Sequence, residues 1–211
     1  MTQQQPLIYL ITNRQAFRRK HNSPALSAWE AQLVAIQLAA QAGCQFIQIR
    51  EKDLPARPLT EFVRAAMRLA NPYGAKVLVN DRLDVAWAAG ADGVHLRVNS
   101  LPVALVREQT QRSRLPNFLI GVSTHSLAEA TIAAQAGADF IVCGPVYDTP
   151  SKREFGPPLG LDRFAEICQS VRIPVFALGG INLANFAEPL ARGAAGIAAI
   201  GFFAELEQIS S

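Results

Sequence analysis

Paired cysteines are missing from this chain. Its three, Cys44, Cys143 and Cys168, are an odd number with no spacing suited to a zinc site or a disulfide framework. Cys44 and Cys143 lie beside apolar strand residues and read as small core hydrophobes. Charge is scarce as well: 18% of the 211 residues are Asp, Glu, Lys or Arg. The net charge is +3, and no basic run is long enough for a nucleic-acid face. A small basic excess suits anionic small molecules instead, and the one cluster, Arg18 to His21, reads as a solvated loop. Met1 to Pro6 lacks the charged-then-apolar pattern of a signal peptide, and glutamines and Gly43 interrupt the uncharged stretch 31–49. The expectation is a reduced, soluble, cytoplasmic protein with no membrane span, and a homo-oligomer is compatible with it.

Apolar residues, by contrast, make up half of the chain, enough for one large core. A short motif recurs around Gly43, Gly90, Gly137 and Gly193, about 46 to 56 residues apart. Each copy is the end of an Ala-rich helix, a glycine able to take the left-handed position, and then a strand. Eight strands are expected: 7–12, 46–51, 76–81, 93–96, 118–124, 140–146, 174–180 and 194–200. Ser27 with Glu30 and Ser126 with Glu129 form capping boxes that start helices, and Asn182 is an N-cap candidate. Strand–helix alternation of this kind argues for a parallel α/β fold, here a single-domain (β/α)8 TIM barrel over 1–211. A doubly wound sheet is the alternative.

Polar residues gather at the carboxyl ends of these strands, the face where barrel enzymes keep their chemistry. Gln48, Arg50 and Lys52 follow strand two, and Asn80 and Asp81 end strand three. His95 and Arg97 end strand four; Ser123, Thr124 and His125 end strand five. Period two sends Gln48 and Arg50 to the same side, where Arg50 needs an anionic partner, either a ligand or Asp81. After strand six comes the Gly/Pro-rich loop 144–160, whose Thr149, Ser151, Lys152 and Arg153 offer hydroxyls and cations for phosphate oxygens. A plain solvated loop is the alternative there. Gly179–Gly180 after strand seven and Gly201 after strand eight lack the Cβ atoms that would block a phosphate from backbone N–H groups. The implied chemistry is a phosphorylated substrate plus a second anion near Arg50, Lys52 and Lys152.

The ordered set YLIT (9–12), QIREKD (48–53), VNDR (79–82), GADGVHL (90–96), GVSTHS (121–126), GPVYDTPSK (144–152), PPLGL (157–161) and ALGGIN (177–182) resembles the thiamine phosphate synthase family, which includes thiazole tautomerases. The resemblance implies a transferase that joins aminopyrimidine-methyl pyrophosphate to a thiazole phosphate and releases pyrophosphate. By position, Gln48 and Ser123 would contact the pyrimidine, while Arg50, Lys52, Asn80 and Lys152 would hold the pyrophosphate. Thr149, Ser151, Gly180 and the backbone at Ile200 and Gly201 would hold the thiazole phosphate. Asp81 would bind Mg²⁺.

One departure stands out. The second magnesium carboxylate of such synthases is replaced by Ser100, in Arg97-Val-Asn-Ser100, and a neutral hydroxyl is a poor substitute. Ser100 is also placed to cap the helix beginning at Leu101. The resemblance therefore leaves two alternatives to the synthase. One is a thiazole tautomerase moving a proton with His125, and the other is a catalytically silent relative that binds precursors.

Overall fold

The computed structural model describes residues 5–15, 27–149 and 157–200. Strands and helices alternate as β1 (Leu7–Ile11), α1 (Ala28–Gln41), β2 (Phe46–Ile49), α2 (Ala56–Ala70), β3 (Lys76–Asn80), α3 (Leu83–Ala89), β4 (Gly93–Leu96) and α4 (Val103–Arg112). They continue as β5 (Leu119–Thr124), α5 (Leu127–Gln135), β6 (Phe140–Cys143), α6 (Gly160–Ser170), β7 (Val175–Leu178), α7 (Ala187–Ala191) and β8 (Gly196–Ala199). The strands close in sequence order, β1 to β8, into a (β/α)8 barrel, which excludes the doubly wound alternative. Among the described residues no helix is long and apolar enough to cross a membrane. Tyr9–Val94 forms one compact unit and His95–Ala199, with Leu7 and Ile8, another.

In Tyr9–Val94, β1 pairs with β2 and β2 with β3, all parallel. The Ser27 capping box forms as expected. Its hydroxyl accepts from Glu30 N at 3.2 Å, and its own N–H donates to Glu30 Oε2 at 2.9 Å. α1 buries Ile36, Ala39 and Ala40, while α2 buries Phe62, Val63 and Ala66. Trp29 stands edge-on to Phe62 with ring centroids 4.6 Å apart. Asp92, from the second copy of the repeat, accepts from Val77 N at 2.9 Å and from Lys76 Nζ at 3.0 Å. Its carboxylate thus satisfies a backbone donor at the start of β3.

In His95–Ala199, β5, β6, β7 and β8 pair parallel in that order. Phe140 and Phe176, both buried, meet edge-to-face at 5.4 Å. Asp139 repeats the work of Asp92 one motif later. Its Oδ2 accepts from Ile120 N and from Arg107 Nη2, both at 2.6 Å. The aspartates of the two Gly-Ala-Asp copies are therefore strand anchors at the amino ends of the barrel strands.

Two helix starts differ from expectation. Ser100 does not cap a helix: its Oγ accepts from Arg97 N at 2.7 Å and its N donates back to Arg97 O at 3.0 Å. α4 begins three residues later, after Pro102, without a side-chain cap. Asn182 accepts from Ala184 N at 2.8 Å within a turn, and α7 starts only at Ala187. Both short polar side chains preferred the nearest backbone donor over the helix end.

Removing either anchor carboxylate strands a backbone donor, but only Asp139 also holds a part-buried guanidinium; Lys76 is 53% exposed. Asp139→Ala is therefore expected to cost about 1–3 kcal/mol, and Asp92→Ala less, because an exposed pair contributes little. Urea midpoints of the two variants check the order.

Candidate functional site

The site residues of Tyr9–Val94 stand on two neighbouring strands. β2 and β3 register Gln48 with Leu78 and Ile49 with Val79, which brings Arg50 level with Asn80. Gln48 is 2% exposed, and its Nε2 donates at 3.1 Å to the hydroxyl of Tyr9, which is fully buried. Burial pushes the Tyr9 phenol well above its ordinary pKa, with the Gln48 amide working against it. The hydroxyl is thus a neutral, fixed partner. Asp81 follows β3 in the left-handed region at φ 59°, a conformation that Asp tolerates better than most residues and that turns the chain away at the strand end.

The segment after β2 is tied to the segment after β1. Thr12 Oγ1 accepts from Arg50 N at 2.9 Å and donates to Glu51 Oε1 at 2.7 Å. Glu51 also accepts from Arg14, through its main-chain N at 3.2 Å and through Nη1 at 2.9 Å. Arg14 then grips Asp53 with two bonds, of 2.8 and 2.6 Å. Those bonds, first among the causes, hold the Asp53 carboxyl below its usual pKa.

In His95–Ala199, Ser123 lies in β5 and its Oγ is 2.9 Å from Nε2 of His95, a β4 residue that is 2% exposed. His125, just past β5, bonds through Nδ1 to the carbonyl of Gly144. A carbonyl can only accept, so Nδ1 donates the proton of this bond. The main chain of His125 takes the Glu129 carboxylate, at 2.6 Å, that the capping box would have directed to Ser126.

The loop after β6 leans on the end of β7. Val146 N donates to Leu178 O at 2.9 Å and Tyr147 N to Gly179 O at 3.0 Å. Gly179 and Gly180 have φ of 99° and 68°, and an added Cβ would come within 2.6 Å of Pro145 and of Tyr147 Cβ respectively. Contact between loops thus demands both glycines, a reason beyond the phosphate approach expected from the sequence. Tyr147 Oη donates to Glu188 Oε2 at 2.7 Å. Partial burial first, and then that carboxylate, push its phenol up to about 12. Thr149 Oγ1 is buried with no hydrogen-bond partner among the described residues, an arrangement a ligand oxygen would satisfy.

Of the expected site residues, Gln48, Arg50, Lys52, Asn80, Asp81, Ser123, His125, Thr149, Gly180 and Ile200 all sit at or just beyond carboxyl ends of strands. Ser151, Lys152 and Gly201 lie outside the described residues. Tyr9, Thr12, Arg14 and Glu51 are the residues that sequence reasoning passed over as site components. A tyrosine and a threonine in the otherwise apolar first strand were the available signal.

Comparisons with known proteins follow the same line. The family described as thiamine monophosphate synthase matches residues 8–203. A putative thiamine-phosphate synthase of Geobacter sulfurreducens is 51% identical over 168 residues, 80% of this chain and 77% of that protein. The thiamine-phosphate synthase of Roseiflexus sp. is 39% identical over 194 residues, 92% of this chain and 76% of that protein. Among solved structures, the thiamine phosphate pyrophosphorylase of Pyrococcus furiosus superposes with a TM-score of 0.79 at 33% identity, covering 97% of this chain and 95% of that one. The chain belongs to the thiamine monophosphate synthase family.

Proposed function

We propose that this protein forms thiamine phosphate from aminopyrimidine-methyl pyrophosphate and thiazole phosphate. The methylene C–O bond breaks, its electron pair leaves with pyrophosphate, and the thiazole nitrogen lone pair forms the new C–N bond. Such a step asks a protein for stabilisation of leaving-group charge and for alignment, not for a strong base. The observation that carries the reading is the pair of cations just past β2, Arg50 and Lys52, on the strand next to β3, which ends in Asn80 and is followed by Asp81. An isomerase has no pyrophosphate to hold with it.

In this reading Gln48 and Ser123 hold the pyrimidine, and Arg50, Lys52, Asn80 and Lys152 receive the pyrophosphate. Thr149, Ser151, Gly180 and the backbone of Ile200 and Gly201 hold the thiazole phosphate, for which the support is the Thr149 hydroxyl, buried and without a partner among the described residues. The reading takes 1–211 as one working domain, supported by a family match that runs through both compact units. The reading puts the reaction in the cytoplasm, which suits phosphorylated substrates that do not cross a bilayer unaided.

The described residues do not fit a resident Mg²⁺ site. No group of three or more His, Cys, Asp or Glu among them is placed to hold a metal ion. Ser100 Oγ accepts from Arg97 N, while Glu51 and Asp53 are engaged by Arg14 and Asp84 by Arg82. In this reading Asp81 would serve the ion only together with substrate oxygens. Calorimetric titration with MgCl₂ alone is expected to show no saturable binding; a stoichiometric binding heat without pyrophosphate would contradict this.

The function itself is tested by incubating the protein with both substrates and following pyrophosphate. Release is expected only when both are present. His125→Ala should keep turnover within a few-fold of wild type, because the synthase step calls for charge stabilisation and alignment and not for a protein base. A proton-shuttling tautomerase would lose about 10²-fold or more in that variant and would release no pyrophosphate.

A further inference from the structure

We propose that Thr12, acting with Glu51 and Arg14, is a positioning residue that preorganises the Arg50–Lys52 segment for the pyrophosphate group. The inference rests on the synthase reading. Thr12 is fully buried, and its single hydroxyl makes two bonds, accepting from Arg50 N at 2.9 Å and donating to Glu51 Oε1 at 2.7 Å. Its own N–H donates to Gln48 O at 2.9 Å. Thr12 therefore touches the main chain of two of the residues assigned to substrate, Gln48 and Arg50.

Glu51 extends the hold. Its side chain is 3% exposed and receives the Thr12 hydroxyl, the Arg14 main-chain N–H and the Arg14 guanidinium. Asp53 receives the rest of the guanidinium and the Gln15 amide at 2.9 Å. Glu51 and Asp53 alternate in sequence with Arg50 and Lys52, so anchoring the acidic pair fixes the backbone that carries the basic pair.

Stability alone does not account for the arrangement. Buried ion pairs are often matched or exceeded in stability by well-packed apolar residues of similar volume. What an apolar cluster could not do is set the position of particular main-chain atoms. Cations held in place before the leaving group departs need no reorganisation at that moment.

Thr12→Val is nearly isosteric and removes both hydroxyl bonds, whereas Thr12→Ser keeps them. With turnover and calorimetric binding of inorganic pyrophosphate both measured, Thr12→Val is expected to raise KM for the pyrimidine pyrophosphate and Kd for pyrophosphate about tenfold. KM for thiazole phosphate should stay within about twofold, and Thr12→Ser should recover most of the loss. Melting temperatures of all three proteins identify any variant that fails to fold. A lowered melting temperature with both KM values and the pyrophosphate Kd unchanged would overturn the proposal, as would a serine variant no better than valine. If wild type released no pyrophosphate from the two substrates, the synthase reading would fail. The binding arm would still decide the positioning role: weaker pyrophosphate binding in Thr12→Val, restored by serine, supports it, and equal binding overturns it.

Discussion

A carboxylate with 5% of its residue surface exposed has to find its hydrogen-bond donors inside the protein. Glu51 finds them in Thr12, in the Arg14 backbone and in the Arg14 guanidinium. All three donors lie at the end of β1, so satisfying one acid joins the loops of two neighbouring strands. Arg50 and Lys52 flank that acid in the chain. Their placement follows from the burial of the residue between them, which makes Glu51 the point on which the proposed pyrophosphate grip depends.

The second compact unit solves a similar problem with backbone and glycine. The loop after β6 continues the ladder with β7 through Val146 and Tyr147. It can approach so closely because Gly179 and Gly180 have no side chains for Pro145 and Tyr147 to strike. Tyr147 is further tied to Glu188 near the start of α7. His125 adds a bond to Gly144 O, so the loop that carries Thr149 leaves its strand already anchored on two sides. Both units therefore hold their polar strand ends by contacts between successive βα loops, a means of preorganisation that parallel barrels offer readily.

The strands and their order were legible because the signals are local. Runs such as Ile141-Val142-Cys143 bounded by a Gly-Ala-Asp turn leave little choice but a buried strand. The polar strand ends were legible for the same reason, since Gln48, Arg50, Asn80 and Ser123 interrupt apolar runs. Partners remote in sequence were not legible. Glu51 reads as one more charge in Arg-Glu-Lys-Asp until the fold brings Thr12 and Arg14 to it across 39 and 37 residues. Tyr9 passed for core because its single hydroxyl finds Gln48 only once β1 and β2 pair. Ser100 and Asn182 were misread as helix caps because a cap and a turn ask for the same short side chain, and only geometry separates them.

The central claim, that the β1 end positions the cations of β2 for the pyrophosphate, is tested most directly by a double-mutant cycle between Thr12→Val and Arg50→Ala. The quantity to measure is kcat/KM for the pyrimidine pyrophosphate in wild type, both single variants and the pair. If Thr12 acts through Arg50, the valine substitution loses most of its effect once the guanidinium is gone, and the cycle shows strong coupling. If the two losses simply multiply, Thr12 contributes independently of Arg50, and the positioning account is contradicted.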